Sequence, residues 1–336
     1  MKKKTVYILP IVVLIVIAIV VFGKKESNMY QHDSGFVFGT SYNITYQSDE
    51  NLKSEIEAVL KEVDNSLSPF NDSSVITAVN NNKDVVLDQR FLEVFTLAKE
   101  ISKDTEGAFD ITVAPLVNAW GFGFKTGKMP TESDMDSLRA LIGFEKVHLN
   151  GNKITKDNKD IMLDCSAIAK GYGVDAVAKM LADKGIANFM VEIGGEIVVR
   201  GTNSSNKPWH IGITKPTDDS LSVNNELENV LAITDIAMAT SGNYRNFYYK
   251  GGKKYAHTIN PKTGYPIQHN LLSATVLADN CATADAYATS FMVLGPDKAR
   301  EILSRHKGMM AYLIYTNEKG EYAVWHSPDM KRFLSE

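Results

Sequence analysis

The order in which hydrophobic periods change along this chain constrains its fold more than any other feature. Residues 35–46, G-F-V-F-G-T-S-Y-N-I-T-Y, alternate with a period of two and read as a strand. Leu52, Ile56, Val59, Leu60, Val63 and Leu67 then recur at helical spacing, and residues 91–101 make a second amphipathic helix that Gly107 stops. Both helices are expected to cover a sheet. Beyond them the pattern is mixed. Short strands are expected near Val147 and Ile161, a helix over 168–184 ending at Gly185, and strands over 189–193, 197–200, 210–213, 230–238, 255–259 and 273–278. Helices over 282–293 and 296–306 precede a last hairpin of 311–315 with 322–325. Strand and helix never alternate as a doubly wound sheet requires, and no fixed repeat occurs, so the sequence predicts an α+β fold of mixed sheet and helices. With 44% apolar and 9% aromatic residues among 336, the chain can fill one sizeable core, and no linker divides residues 35–336.

Ahead of that body, Lys2, Lys3 and Lys4 precede an uninterrupted apolar run over residues 6–23. A helix of that length spans about 27 Å, close to the hydrocarbon thickness and longer than most signal-peptide apolar regions. Residues 20–25, V-V-F-G-K-K, lack an A-x-A cleavage pattern, and no Cys follows to accept a lipid, so an uncleaved anchor is preferred to a removed signal. The lysines and amino terminus on one side, against Lys24, Lys25 and Glu26 on the other, favour an N-inside orientation. Residues 1–23 are therefore read as a single-pass membrane anchor or signal, 24–34 as a linker, and 35–336 as one domain outside the cytoplasm. A net charge of -4 and a pI near 6.0 arise from interspersed Lys and Glu, which excludes the basic footprint of a nucleic-acid binder. Cys165 and Cys281 read as small core residues, since a domain of this size needs no disulfide.

Two segments carry most of the chemistry. In T-A-D-A-Y-A-T (residues 283–289), Asp285 and Thr289 are four apart, so on a helix their oxygens share one face and can share one ion. A carboxylate plus a hydroxyl is the sparse, hard oxygen set that Mg²⁺ accepts when phosphates and water complete its octahedron. A helix cap explains Thr283 or Asp285 equally well. In D-C-S-A-I-A-K-G (residues 164–171), Asp164 ends an apolar strand, and small residues lead into a helix carrying Lys170. A bent backbone there can offer a carbonyl to a metal, and Lys170 can neutralise a phosphate. An N-cap Asp with a surface Lys is the structural alternative. Neither a Walker pattern nor G-x-G-x-x-G is present.

Three further segments are less specific. V-E-I-G-G-E (residues 191–196) permits close approach of a ligand to backbone, or is a plain tight hairpin. In residues 108–123, Phe109, Trp120 and Phe122 interleave with Asp110, Asn118 and two glycines, a mix that can line a flat aromatic ligand or simply pack a core. His257 lies at a strand end beside the turn N-P-K-T-G, where reactive side chains are often presented. A lone His is more commonly structural.

Taken in order, F-G-T-S-Y, A-F-D-I-T-V-A-P-L-V-N-A-W-G-F-G, D-C-S-A-I-A-K-G-Y-G-V-D, E-I-G-G-E-I, A-T-S-G-N-Y, H-T-I-N-P-K-T-G-Y-P and T-A-D-A-Y-A-T resemble the ApbE family of FAD:protein FMN transferases over roughly residues 35–330. The resemblance implies a single domain related to the T-fold behind the N-terminal helix. It further implies that the Ala167 carbonyl and the Asp285 and Thr289 side chains hold Mg²⁺ against the FAD pyrophosphate. Asp164, Lys170, Ala108, Phe109, Asp110 and the backbone near Ile259 are implied to contact FAD. Phe38 and Phe70 are implied to flank the flavin, Phe38 standing where many members have Met. Cys165, Cys281 and the missing lipid-attachment Cys are departures, the last replaced by the helical anchor.

The implied chemistry is attack by a protein Thr or Ser hydroxyl on the FMN phosphorus of FAD, with release of AMP and a phosphodiester-linked FMN. Mg²⁺ would offset developing charge. His257 is the expected base because the imidazole reference pKa lies near working pH, and Asp285 serves catalysis through the ion. The expected partner is an acceptor flavoprotein, a membrane electron-transfer subunit on the same face. Two alternatives stay open: hydrolysis of FAD to FMN and AMP by water, and silent flavin binding.

Overall fold

A computed structural model describes residues 29–123, 129–217, 226–244 and 247–335. The anchor expected over 1–23 lies outside the described residues; among those described, no helix is long and apolar enough to cross a membrane. The chain opens with β1 (Tyr30–Val37) and β2 (Thr40–Gln47), followed by helices α1 (Lys53–Leu67), α2 (Val75–Asn80), α3 (Gln89–Asp104), α4 (Ala114–Ala119) and α5 (Glu132–Arg139). Strands β3 (Val147–Asn150) and β4 (Lys153–Lys156) lead to α6 (Ala169–Asp183). Six strands and two helices come next: β5 (Phe189–Ile193), β6 (Glu196–Arg200), β7 (Trp209–Thr214), β8 (Leu227–Ile233), β9 (Ile236–Gly242), β10 (Phe247–Lys250), β11 (Lys253–Ala256) and β12 (Leu271–Ala278), then α7 (Cys281–Leu294) and α8 (Pro296–Leu303). The hairpin β13 (Met310–Thr316) and β14 (Tyr322–His326) closes the chain.

Eight strands form one sheet in the order β1-β2-β5-β6-β9-β12-β13-β14, and every neighbouring pair is antiparallel. The period-two pattern puts a different layer on each face. In β13, Ala311 and Leu313 join the core beneath the helices, whereas Met310, Tyr312 and Ile314 pack with Trp209, Ile211, Leu231 and Ile233 of the separate β7–β8 hairpin. The sheet is thus buried on both sides, which is why its inner strands read as near-continuous apolar runs.

Where the sequence suggested one strand, the structure often holds two. The alternation over 35–46 is broken at Phe38 and Gly39, whose φ angles of 52° and 76° turn the chain back on itself. The run over 230–238 likewise folds into β8 and β9 about Asp235, at φ 50°. Strand order also begins at Tyr30, inside the stretch read as a linker over 24–34. No strand forms at Ile161, although the residue is fully buried. Helices α2, α4 and α5 were not foreseen; they have six to eight residues each, too few to display a helical period.

The central helix α7 has Ala, Cys, Phe and Met on all sides and is buried nearly throughout, as an all-round apolar helix must be. Its N-cap is Asn280, which accepts from the Thr283 N–H. Asp175 on α6 accepts from the N–H groups of Cys281 and Ala282, each at 2.8 Å, so one carboxylate satisfies two donors at a buried helix start. Gly171 permits this crossing: a Cβ there would lie 2.4 Å from the Cys281 carbonyl oxygen. Burial raises the Asp175 carboxyl from its ordinary 3.8 to about 6, against the two N–H bonds that lower it. Because the folded value lies above the unfolded one, this group's contribution to stability is complete below about 4 and is lost as pH rises through 6. Asp175→Asn offers one acceptor where two are used. It is expected to cost about 1–3 kcal/mol at neutral pH and to flatten the pH dependence between 4 and 6, read as urea midpoints across that range.

Candidate active site

A cleft of about 470 Å³ opens where α7, the start of α6 and the ends of β6 and β9 meet the 108–123 segment, within the size range of small-molecule sites. Asp285 projects from the first turns of α7 and is 3% exposed. Its Oδ2 accepts from the Gly171 N–H at 3.1 Å, so it binds across to α6 and does not cap its own helix. One turn on, Thr289 Oγ1 lies 3.0 Å from Ser241 Oγ at the end of β9. The i,i+4 spacing does place the carboxylate and hydroxyl along one wall of the cleft.

The 164–171 segment reaches this wall because both of its flanks are fixed. Asn80 clamps Leu163 by donating to its carbonyl at 2.9 Å and accepting from its N–H at 2.7 Å, and the Asp164 N–H donates to the Ile111 carbonyl at 2.7 Å. Cys165 and Ile168 are buried as anchors, which leaves Ser166 and Ala167 facing the cleft. Asp164 does not cap α6; its Oδ1 accepts from the Ser166 N–H at 2.8 Å and from the Ser166 hydroxyl at 2.5 Å. Both cysteines are free and buried, and burial raises both thiols, in keeping with small core residues.

Lys170 is not a surface lysine. Its Nζ lies 2.5 Å from Glu196 Oε1, and the Glu196 side chain is 3% exposed. Burial opposes the ammonium, but the Glu196 and Asp285 carboxylates outweigh it and hold the Lys170 pKa above its usual range. Burial pushes Glu196 up to about 7 despite Lys170, and raises Asp285 as well. Glu196 Oε2 is buried with no hydrogen-bond partner. Two buried carboxylates thus share one ammonium. In the sequence, E-I-G-G-E signals only a backbone turn and gives no sign of this role for Glu196. The structure does make it a tight turn, with Gly194 and Gly195 at φ 63° and 101°, and that turn delivers Glu196 as the first residue of β6. Ser241, in A-T-S-G-N-Y, is equally unmarked; a hydroxyl in a small-residue strand gives little signal by itself.

The opposite wall comes from Ala108, Phe109, Asp110, Phe122, Thr258 and Ile259. Asp110 is 7% exposed and turned inward: Oδ1 accepts from the Thr112 N–H and hydroxyl, and Oδ2 from the Phe144 N–H. Burial raises its pKa against those three bonds, and its visible role is to fix the loop. Trp120 is core, its indole donating to the Gly264 carbonyl at 2.7 Å. His257 follows β11 directly, half-buried on the cleft wall, its ring centroid 6.4 Å from that of Phe122. Phe70, 68% exposed, lines the cleft and also a neighbouring cavity of about 750 Å³. Phe38 lines only that second cavity, where it rests against Gly173; a Cβ there would meet its ring at 2.6 Å. Of the residues that the family resemblance assigned to FAD, metal or catalysis, all but Phe38 therefore line the first cleft, and Phe38 adjoins it through Phe70; Trp120 and Asn118 do not line it.

Fold and cleft together define a class: an α+β domain built on one eight-stranded antiparallel sheet, whose buried central helix presents a carboxylate and a hydroxyl to one polar cleft. The chain belongs to the ApbE family, whose model matches residues 38–314. It is similar to the FAD:protein FMN transferase of Haemophilus influenzae, 40% identical over 304 residues that cover 85% of this chain and 87% of that protein. The FAD:protein FMN transferase of Escherichia coli is 36% identical over 292 residues, covering 84% and 82%. Among solved structures, the flavin transferase ApbE from Vibrio cholerae superposes with a TM-score of 0.81 at 36% identity, covering 91% of this chain and 99% of that one. The apo form of the Pseudomonas stutzeri flavinyl transferase ApbE gives 0.80 at 29% identity, covering 91% and 96%.

Proposed function

We propose that this chain is a FAD:protein FMN transferase that moves FMN from FAD to a Thr or Ser hydroxyl of an acceptor flavoprotein and releases AMP. The observation that carries this reading is the convergence of Asp285, Thr289, Ala167, Lys170 and His257, drawn from three distant parts of the sequence, on one cleft. The names of the relatives agree with it. In the reaction the acceptor oxygen forms a bond to the FMN phosphorus as the bond to the AMP oxygen breaks, and the hydroxyl proton goes to His257. Thr289 and Ser241 hold each other in place at the phosphate end, and Lys170, itself positioned by Glu196, supplies the fixed positive charge. Phe38 and Phe70 border the adjoining cavity on the flavin side, while Ala108, Phe109, Asp110, Asp164 and Ile259 shape the walls.

The donor set fits a divalent cation. Two buried carboxylates with one ammonium leave a negative charge to be balanced, and Asp285, Thr289 and the Ala167 carbonyl offer hard oxygens on the cleft surface. Among the described residues no cluster of three or more His, Cys, Asp or Glu could hold a metal, and in this proposal substrate phosphates and water would complete the shell, as Mg²⁺ commonly requires. When bound, Mg²⁺ would offset charge on the phosphates. Membrane attachment through residues 6–23, with the domain outside the cytoplasm and a membrane electron-transfer subunit as acceptor, completes the proposal.

Incubation with FAD and Mg²⁺, with and without a flavoprotein acceptor, tests it. Acceptor-linked FMN with matching AMP is expected, and EDTA should reduce AMP formation to the uncatalysed level until excess Mg²⁺ is restored. Rapid release of free FMN without acceptor would instead mark a hydrolase, and FAD retention without AMP a silent binder.

A further inference from the structure

Among the described residues, the β10–β11 hairpin stands apart from the central sheet and pairs only within itself. Its inner face is anchored: Tyr248 and Tyr255 stack at 5.4 Å, Tyr255 stacks on Trp120 at 5.6 Å, and the Tyr248 hydroxyl donates to the Trp120 carbonyl at 3.1 Å. Its outer face is built differently. Tyr249 is 59% exposed, and Lys254 Nζ sits 4.2 Å from the centroid of the Phe247 ring. Lys250, Lys253 and Lys254 fall within five positions around a tight turn at Gly251 and Gly252, with φ of 59° and 75°. The whole chain is net acidic at -4, so three lysines beside the exposed Tyr249 run against the background.

Chain continuity gives the cluster a meaning. The residue after β11 is His257 on the cleft wall, so the hairpin rises from the point where the acceptor hydroxyl must arrive. We infer that the outer face and tip of this hairpin dock the acceptor polypeptide by gripping an acidic segment that flanks the hydroxyl to be modified. The inference rests on the transferase reading above. The exposed Lys250, with the half-buried Lys254 beside it, steers an anionic partner, while the exposed Tyr249 supplies contact area at low entropic cost.

The test uses two fluorescein-labelled 15-residue peptides, each with one central Thr and flanked by four Asp or by four Lys, and the variant Tyr249→Ala/Lys250→Glu/Lys254→Glu. Anisotropy is read at low salt, with and without FAD. The parent protein is expected to bind the acidic peptide about tenfold more tightly than the basic one. In the variant that preference should vanish or reverse, while its melting temperature and FAD affinity match the parent's. Equal binding of both peptides by the parent, or an unchanged preference in the variant, overturns the inference. So does a preference absent for peptides while vesicles of phosphatidylglycerol and phosphatidylcholine bind the parent and not the variant, which would assign the hairpin to a membrane surface. Failure of the parent to form AMP from FAD counts against the transferase reading alone, since the peptide preference is also scored without FAD.

Discussion

Asp285→Ala should abolish Mg²⁺-dependent formation of AMP from FAD. Substitution of groups that merely support a metal ligand costs about 10–100-fold, so loss of the one carboxylate facing the cleft from α7 should cost at least about 100-fold. The buried ion pair survives the change, because removing Asp285 leaves Lys170 paired with Glu196. The substitution also leaves the buried Gly171 N–H, in the first turn of α6 where helix donors lack helical partners, without its acceptor, so a stability cost of about 1–3 kcal/mol is expected and the activity is read on protein shown folded by its melting transition. Steady-state AMP release across a Mg²⁺ titration checks this. Activity near the parent's at saturating Mg²⁺ would remove Asp285 from the site.

The largest effect on stability is expected from Lys170→Met in the metal-free protein. It leaves Glu196 and Asp285 buried with no counter-charge. Breaking a buried pair from one side typically costs about 3–5 kcal/mol, and the partial exposure of the Lys170 side chain lowers the expectation to about 2–4 kcal/mol. Adding Glu196→Gln to Lys170→Met should recover part of that loss, since the double variant strands only the Asp285 carboxylate where the single variant strands two. Urea unfolding in EDTA measures both. A single-variant cost under about 0.5 kcal/mol, the size of an ordinary surface substitution, would show that the pair is not a structural centre of the site.

How much of this was legible in the sequence depended on the distance over which each feature is specified. Long periodic segments were readable: α1, α3, α6 and α7 lie where their apolar spacing placed them, and α+β followed from their order. Asp285 and Thr289 were readable because helix geometry makes i,i+4 neighbours without reference to the rest of the fold. The turns at Phe38 and Asp235 were not, since an αL conformation at a non-Gly residue is imposed by the strands it joins and leaves alternation intact on either side. Glu196 was invisible for a related reason. Its partner Lys170 comes from another element, and only the assembled sheet brings the two together. The same holds for Asp110, a candidate ligand contact in the sequence that the fold turns inward to hold the Phe144 N–H.

Co-expression with a candidate acceptor flavoprotein, followed by mass spectrometry of the purified acceptor, tests transfer most directly. FMN attached through a phosphodiester to one Thr or Ser, present with this protein and absent with its Asp285→Ala variant, is the predicted result. An acceptor that stays unmodified while the same cells or extracts convert FAD to free FMN and AMP would contradict it.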